Sequence, residues 1–159
     1  MNISIRLLEE RDAYTSVVWR NIPEIWELTG SKPDKEITID DELNWIRKAI
    51  KDSTARRFAI VADGTYVGNI YLTDIKDGLA QYHIFIGDRD FWGKGVAKQA
   101  SRQLLDYAKT ELKLKRIFLE VNKNHTAAQG LYRKLGFVET KADKSTIIME
   151  LDLETAHEN

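Results

Sequence analysis

The sequence predicts an α+β fold in which a mixed, mostly antiparallel sheet is flanked by helices. Alternating apolar residues at Ile3, Ile5 and Leu7 are typical of a half-buried first strand. Two Asp-Gly pairs, Asp63-Gly64 and Asp77-Gly78, separate apolar runs and therefore indicate tight antiparallel hairpins. Beyond residue 86 the pattern changes to helix, strand, helix and two further strands, which adds a parallel connection.

The length of 159 residues is typical of one domain, spanning residues 1–159. Lys and Arg total 24 and Asp and Glu total 25, and a formal charge of −1 argues against a general nucleic-acid binder. No apolar run approaches the roughly 18 residues of a membrane span, and the N-terminus lacks the order of a signal peptide. We therefore expect a cytoplasmic protein without nucleic-acid or membrane partners. With no cysteine and only three histidines, we also expect no metal site.

The segment after the first strand predicts helices interrupted by a bend. Residues 11–30 have helical character, with a bend near Trp19-Arg20-Asn21 and a second short helix opened by Pro23. Thr38 and Asp41 resemble a capping box, and apolar residues then repeat at helical spacing at Leu43, Ile46 and Ile50. The two Asp-Gly pairs then predict a three-strand meander over residues 57–86.

The second half of the chain predicts a strand–helix–strand crossover and a final helix with two strands. A glycine-bearing loop at residues 87–95 leads into a helix, residues 116–121 form a central strand, and the β-α-β unit over residues 79–121 should be parallel. Gly136 suits the left-handed cap of the final helix, ahead of strands at Phe137-Val138 and at residues 146–149. The apolar faces of the two helices are Ala97, Ala100, Leu104, Ala108 and Leu112, and Ala128, Leu131, Tyr132 and Leu135.

The loop from Phe91 to Ala97, with glycines at 93 and 95, is a candidate phosphate site. Glycines let the backbone approach a ligand closely, and the helix start exposes unpaired N–H groups with a partial positive charge. A Walker loop needs Gly-Lys followed by Ser or Thr, and it is excluded because Gly93-Lys94 is followed by Gly95-Val96. A Rossmann fingerprint is excluded because position 98, where its third glycine is needed, is Lys. A tight turn without a ligand is the alternative for the Gly-x-Gly pair taken alone.

Two segments carry a resemblance to a known family. The stretch from Ile86 to Ala97 resembles the pyrophosphate loop of the GNAT superfamily of acyl-CoA-dependent N-acetyltransferases. The stretch from Val121 to Ala128, running into Leu131-Tyr132-Arg133-Lys134-Leu135-Gly136-Phe137, is similar to the last helix and cap of that family. The Trp-Gly-Lys-Gly form looks most like the branch that acetylates ribosomal-protein N-termini.

The resemblance implies an N-acetyltransferase with acetyl-CoA as co-substrate and a splayed parallel strand pair at the CoA site. By the same resemblance, the pantetheine arm would pair with the backbone of Ile84, Phe85 and Ile86, and Tyr132 would protonate or hydrogen-bond the leaving thiolate. Lys94 and Lys134 would screen phosphate charge, with solvated surface lysines as the alternative. Backbone N–H groups that would hold the pyrophosphate belong to Trp92, Gly93, Lys94, Gly95, Val96 and Ala97.

The chain departs from the family pattern at three positions. Asp90 stands where the family loop usually has Gln or Arg, and His125 stands where it usually has Asn, so His125 is the candidate for that CoA contact. Gln81 stands where the family often has a Glu that serves as the catalytic base, and Gln cannot take a proton. His83 is on the same strand, and its ordinary pKa of about 6.5 suits a general base. A strand histidine without a catalytic part is the alternative for His83, and a core aromatic is the alternative for Tyr132.

The sequence leaves the acceptor open among primary amines on small molecules or peptides. A protein N-terminus, a polyamine and a nucleotide-linked amino sugar all remain candidates. Four residues of the helical insert, Trp19, Arg20, Asn21 and Trp26, either line the acceptor pocket or belong to the core. A catalytically silent CoA-binding sensor or partner module is the alternative function. The oligomeric state is open, with a homodimer among the possibilities.

Overall fold

The structure, a computed structural model, describes residues 1–29 and 32–154. These residues form a seven-stranded sheet with the strand order β1-β2-β3-β4-β5-β7-β6. In chain order the strands are β1 (Ile3–Leu7), β2 (Arg56–Ala62), β3 (Thr65–Lys76), β4 (Leu79–Ile86), β5 (Arg116–Asn122), β6 (Val138–Ala142) and β7 (Thr146–Asp152).

Helices cover both faces of the sheet. Within the described part of the chain, no helix is both long enough and apolar enough to cross a membrane. The helices are α1 (Ala13–Arg20), α2 (Pro23–Thr29), α3 (Ile39–Lys51), α4 (Val96–Thr110) and α5 (Thr126–Lys134), with short 3-10 turns at Glu10–Asp12 and Arg89–Phe91.

The topology confirms the predicted α+β class with a mixed, mostly antiparallel sheet. Strands β1 to β4 pair antiparallel in sequence order, β4 and β5 pair parallel, and β5, β7 and β6 pair antiparallel. Both Asp-Gly hairpins are present. Their turn residues have positive φ, at 49° and 84° for Asp63-Gly64 and at 53° and 79° for Asp77-Gly78, which is why this dipeptide suits them.

The larger core lies between the sheet and the helices α4 and α5. Alternate strand residues such as Ile70 and Ile117 are fully buried there, against Leu104 of α4. A smaller apolar cluster, Leu8, Ala13, Ile46 and Ala59, lies on the opposite face beneath α1 and α3. The central strands therefore present alternate residues to two different helical layers, whereas the edge strand β6 is exposed along its length.

Local signals placed α3 correctly. The Asp41 N–H donates to Thr38 Oγ1 at 3.1 Å and the Thr38 N–H donates to Asp41 Oδ2 at 3.0 Å, which is the predicted capping box. Of the apolar repeat on this helix, Ile46 is buried whereas Ile50 is 44% exposed. The buried face of the helix therefore runs through Glu42, Ile46 and Ala49, and Ile50 lies outside it.

The bend between α1 and α2 is held by Asn21. Its side-chain amide donates to the carbonyls of Val17 (3.0 Å) and Ile37 (2.9 Å), and its Oδ1 accepts the Ile37 N–H at 2.8 Å. Trp19 is 5% exposed and packs against the rings of Tyr66 and Phe85. Trp19 is therefore buried in the structure, whereas half-buried Asn21 holds the bend through hydrogen bonds, and neither residue lines the cavity described below.

Strands β4 and β5 part after a short parallel contact. Their register runs through Leu79↔Arg116, Ala80↔Ile117 and Gln81↔Phe118 and then ends. The other edge of β4 stays paired with β3 as far as Gly68↔Ile86. From Tyr82 onwards, β4 therefore has an open edge toward β5, as the predicted splayed pair requires.

Substituting Gly87 by Ala should destabilise the fold. A Cβ at this position would lie 2.0 Å from Cδ2 of Trp19, which is buried and has no room to retreat. We expect the free energy of unfolding to fall by about 1–3 kcal/mol. Gly130→Ala in α5 is the matched control, because nothing lies within 4 Å of its Cβ and Ala gains up to about 1 kcal/mol of helix propensity. Urea unfolding measures both variants, and equal stabilities would contradict the packing described here.

Candidate active site

A cavity of about 620 Å³ crosses the sheet where β4 and β5 part. Side chains from both faces line it: Tyr82 and Tyr132 belong to the α4–α5 side, whereas His83 belongs to the α1–α3 side. Neighbouring residues of a strand point to opposite faces, which is why Tyr82 and His83 contribute to both sides. The cavity is therefore a passage through the plane of the sheet.

Tyr132 lies on α5 at the α4–α5 side of the passage. Its ring contacts those of Tyr82 (centroids 5.8 Å apart) and Phe137 (6.0 Å), and the Tyr82 hydroxyl hydrogen-bonds Ser101 of α4. Gly136 closes the helix with φ +106°, as predicted, and the Phe137 N–H returns to the Tyr132 carbonyl at 3.0 Å. Burial raises the pKa of Tyr132 to about 12, so its phenol is protonated at neutral pH and can donate a hydrogen bond.

His83 lies on β4 at the α1–α3 side of the passage. Its Nε2 is 2.8 Å from Thr73 Oγ1 on β3. Burial, followed by the positive charge of Arg57, lowers the pKa of His83 below its ordinary value of 6.5, although Asp74 and Glu120 act in the opposite direction. The imidazole is therefore neutral at pH 7 and can accept a proton.

The glycine loop presents free backbone N–H groups at the start of α4. Gly93 and Gly95 adopt φ of +72° and +79°, and Gly95 provides no side-chain cap for the helix. No hydrogen bond among the described residues engages the main-chain N–H groups from Gly93 to Lys98. Val96 anchors the helix start in the core, at 1% exposure. This arrangement can bind an anion.

Trp92 is placed differently from the sequence-based expectation. Its main-chain N–H already donates to the Arg89 carbonyl at 3.1 Å, so it is not free for a phosphate in this conformation. Its indole Nε1 instead donates to the Ile86 carbonyl at 2.7 Å, which ties the loop to the end of β4. The main-chain bond to Arg89 results from the 3-10 turn at Arg89–Phe91, which the residue types alone did not predict.

The remaining CoA candidates fall into two groups. Ile84, Phe85 and His125 line the cavity, and His125 is the residue before α5. Ile86 does not line it, and its carbonyl is held by Trp92. Lys94 and Lys134 are exposed outside the cavity, with Lys94 Nζ 5.8 Å from the centre of the Phe91 ring.

Buried Gln129, which the sequence analysis did not identify, fixes the segment between β5 and α5. Its Nε2 donates to the carbonyls of Asn122 (3.1 Å) and Lys123 (3.0 Å). These bonds set where β5 ends and where His125 enters the cavity. A polar residue inside the apolar face of α5 was the signal for such a role.

Charged and aromatic residues on the α1–α3 side were also missed. The missed residues Arg57, Glu42 and Trp45 line the cavity. Arg20 and Trp26 of the helical insert, which the sequence analysis named as candidates for the acceptor pocket, line it as well. Glu42 is fully buried and accepts hydrogen bonds from Ser16 Oγ (2.8 Å) and Arg20 Nη1 (2.6 Å). Arg57 occupies an inward position on β2, two residues before fully buried Ala59. In the sequence, its place beside Arg56 did not indicate this position. Among the described residues, no group of three or more His, Asp or Glu side chains is placed to hold a metal ion.

The fold and the passage together define an acyltransferase-like architecture, with an anion loop beside a parted strand pair. Residues 2–138 match the acetyltransferase (GNAT) domain family, and the chain belongs to that family. The resemblance inferred from the sequence is therefore confirmed.

Individual relatives point in the same direction. Spermidine N(1)-acetyltransferase of Escherichia coli (strain K12) is 37% identical over 92 residues, covering 57% of this chain and 49% of that protein. The chain thus matches about half the length of this relative. An N-acetyltransferase p20 of Bacillus licheniformis is 28% identical over 140 residues, covering 85% of this chain and 78% of that protein. Spermidine N-acetyltransferase from Vibrio cholerae, solved with CoA and spermine, has a TM-score of 0.87 at 25% identity and covers 98% of both chains.

The pKa of His83 provides a direct test of the site's electrostatics. We expect its Hε1 proton, followed by NMR and assigned with His83→Gln, to titrate below pH 6.5. Arg57→Gln should raise this pKa, because removing a nearby cation makes the protonated imidazole less unfavourable. Arg56→Gln is the control, since Arg56 instead donates to the carbonyls of Ser53 and Ala55. A His83 pKa at or above 6.5, or one unchanged by Arg57→Gln, would contradict this account.

Proposed function

We propose that this protein transfers an acetyl group from acetyl-CoA to a primary amine by direct attack within a ternary complex. The observation that carries the proposal is the passage between β4 and β5, with Tyr132 at one side and His83 at the other. Two reactants can enter such a passage from opposite faces and meet in the middle. The chain has no cysteine, so an acetyl-cysteine intermediate is impossible.

Acetyl-CoA would occupy the α4–α5 side. The open edge of β4 at Ile84 and Phe85 offers backbone groups to the pantetheine amides. The free N–H groups from Gly93 to Ala97 and the positive end of the α4 dipole suit the pyrophosphate. His125 would contact CoA from the start of α5, and exposed Lys94 and Lys134 would screen phosphate charge. The CoA complex of the Vibrio cholerae relative supports this assignment.

His83 would act as the general base. An alkylamine with a pKa near 10 is only about 0.1% neutral at pH 7, which corresponds to roughly 4 kcal/mol, so a proton must be removed before attack. If His83 Nε2–H donates to Thr73 Oγ1, Nδ1 is left to accept the ammonium proton, directly or through water. The low pKa of His83 keeps it in the neutral form that this role requires.

Tyr132 would stabilise the leaving thiolate through a hydrogen bond. The amine nitrogen forms a C–N bond to the thioester carbonyl carbon, the C–S bond breaks, and its electron pair goes to sulfur. Full proton transfer from a phenol of pKa about 12 to a thiolate whose conjugate acid has a pKa of about 8.5 is uphill by roughly 5 kcal/mol. As the neutral amide forms, its nitrogen loses a second proton to solvent water, and the thiolate takes up a proton from solvent while Tyr132 supplies the hydrogen bond.

The acceptor is a small-molecule or peptide amine. Relatives named as spermidine N-acetyltransferases make a polyamine the first class to assay. A protein N-terminus and a nucleotide-linked amino sugar complete the panel. Release of CoA thiol reports transfer to any of them, and the absence of cysteine in the chain removes protein background from a thiol reagent.

Tyr132→Phe should lower turnover without weakening acetyl-CoA binding. Losing a hydrogen bond to a charged thiolate corresponds to roughly a 10–100-fold lower kcat, while the KM for acetyl-CoA stays unchanged. Tyr107→Phe is the control, because Tyr107 packs against Phe58 away from the cavity. Equal turnover of Tyr132→Phe and the parent would remove Tyr132 from the mechanism. No thiol release with any amine, while acetyl-CoA still raises the Tm, would identify a silent CoA binder instead.

Gly95→Ala should weaken CoA binding specifically. The residue has φ +79°, where a Cβ is unfavourable, and it sets the direction of the N–H groups at the start of α4. Gly64→Ala is the matched control, with φ +84°, no atom within 4 Å of its Cβ and a place in a remote hairpin. We expect similar losses of stability, about 1 kcal/mol each, but a CoA Kd raised roughly 10-fold by Gly95→Ala alone. Calorimetric titration that gives the same Kd for both variants would contradict the loop assignment.

A further inference from the structure

A row of side chains crosses the α1–α3 face of the sheet and ends at Arg57. Arg57 of β2 is in register with Tyr71 of β3, and Tyr71 is in register with His83 of β4. All three line the cavity. Adjacent strands are separated by roughly 4.8 Å, so the Cα atoms of Arg57 and His83 are roughly 10 Å apart. The cavity therefore extends sideways, from the parting of β4 and β5 to a guanidinium group.

Arg57 is held firmly, but its positive charge is only partly compensated. Its guanidinium lies 5.9 Å from the ring centre of Trp45 and 5.4 Å from that of Tyr71, and its side chain is 15% exposed. Nη1 donates to the Ala49 carbonyl at 2.9 Å, and the Asp52 carboxylate is 3.7 Å away. Nε is buried and has no hydrogen-bond partner among the described residues. A planar, fixed fork of this kind suits a carboxylate or phosphate.

A second donor in the same cavity also lacks an acceptor. Trp26 Nε1 is buried and has no hydrogen-bond partner within residues 1–29 and 32–154. In that part of the chain, the buried side-chain atoms without partners are all nitrogen donors, and those of Trp26 and Arg57 belong to cavity residues. An unpaired buried donor is unfavourable unless water or a ligand accepts from it. Oxygen acceptors of a ligand would satisfy these two donors once a small side-chain rotation exposes them, because both nitrogens are closed off from the empty cavity.

Among the described residues, the other charged residues that line the cavity are Arg20, Glu42 and Glu120, and none of them places a second net charge beside Arg57. Arg20 is paired with Glu42, so this pair adds no net charge. Glu120 is exposed on β5, two residues beyond the last parallel pair Gln81↔Phe118, which places it level with His83 across the parting. A carboxylate near the reacting end suits an ammonium group, whereas a polyamine would set a second cation or bare methylenes against Arg57.

We propose that the acceptor is a primary amine whose body also carries an anionic oxygen group, a carboxylate or a phosphate, bound by Arg57 with Trp26. This inference rests on the proposed function, because it requires the amine to reach His83. It separates this chain from the polyamine substrates in the names of its relatives.

Matched pairs of amines test the proposal at pH 8. One pair is 3-aminopropanoate and 3-aminopropanamide, the other is glucosamine 6-phosphate and glucosamine, and spermidine completes the set. We expect kcat/KM for the anionic member of at least one pair to exceed that for its neutral partner by 10-fold or more. The pair that shows this preference distinguishes a carboxylate from a phosphate. The proposal would be overturned if both neutral members performed as well as their anionic partners, or if spermidine performed as well as the better anionic compound.

Variants connect the preference to Arg57. In Arg57→Gln the ratio of kcat/KM between the anionic and neutral members should fall to near 1, and in Trp26→Phe it should fall by a smaller factor. Arg56→Gln should leave the ratio unchanged. If Arg57→Gln fails to fold, Arg57→Lys keeps the charge without the planar fork and should give an intermediate ratio. A ratio that survives in both Arg57 variants overturns the proposal.

Failure of the proposed function would be recognised separately, as no thiol release with any amine. In that case the CoA-loaded protein is titrated with glucosamine 6-phosphate and with 3-aminopropanoate while the fluorescence of the cavity tryptophans Trp26 and Trp45 is followed. Saturable binding that is lost in Arg57→Gln supports the anion site without catalysis. No binding of either compound overturns it.

Discussion

The early end of the β4–β5 pairing is the constraint on which the site depends. Inside a sheet, an unpaired strand edge leaves backbone donors and acceptors without partners, which is unfavourable unless a ligand or water replaces the neighbouring strand. Here each strand is held on its outer side, β4 by β3 as far as Ile86 and β5 by β7 as far as Asn122. The gap therefore cannot close by sliding either strand. The aromatic contact of Tyr82, Tyr132 and Phe137 fills the α4–α5 side beneath it.

The sheet also separates the two candidate proton-handling groups. Tyr132 and His83 line one cavity from opposite faces of the sheet. Burial raises the pKa of Tyr132 and lowers the pKa of His83, so burial favours the neutral form of each residue. The reacting centre is therefore close to uncharged, while formal charges stand at its margins in Arg57, Glu120 and the Arg20–Glu42 pair. In the proposed mechanism, a developing thiolate would meet a donor in surroundings of low polarity, where a hydrogen bond is strongest.

The parts of the fold that sequence predicted well are those fixed by neighbours in the chain. The Asp63-Gly64 hairpin, the Thr38 capping box and the Gly136 cap all depend on a few consecutive residues. Tyr132 became a candidate because its helix and cap form one short motif, and the structure shows that it lines the cavity. Arg57 could not be identified in that way, because beside Arg56 it has the pattern of a solvated charge. Only the register of three strands places it in a row with Tyr71 and His83.

In the proposed function, the α1–α3 layer would set the choice of acceptor without disturbing the side of the cavity assigned to CoA. The apolar cluster of this layer is small, and hydrogen bonds between polar side chains also join its helices. Glu42 of α3 binds Ser16 and Arg20 of α1, and Asn21 ties the end of α1 to Ile37 just before α3. These bonds are directional, so they fix the positions of the cavity wall more narrowly than apolar packing alone would. Arg57 contacts this wall through the Trp45 ring and the Ala49 carbonyl of α3, so in the proposed function the acceptor would have to fit a geometry that is already fixed.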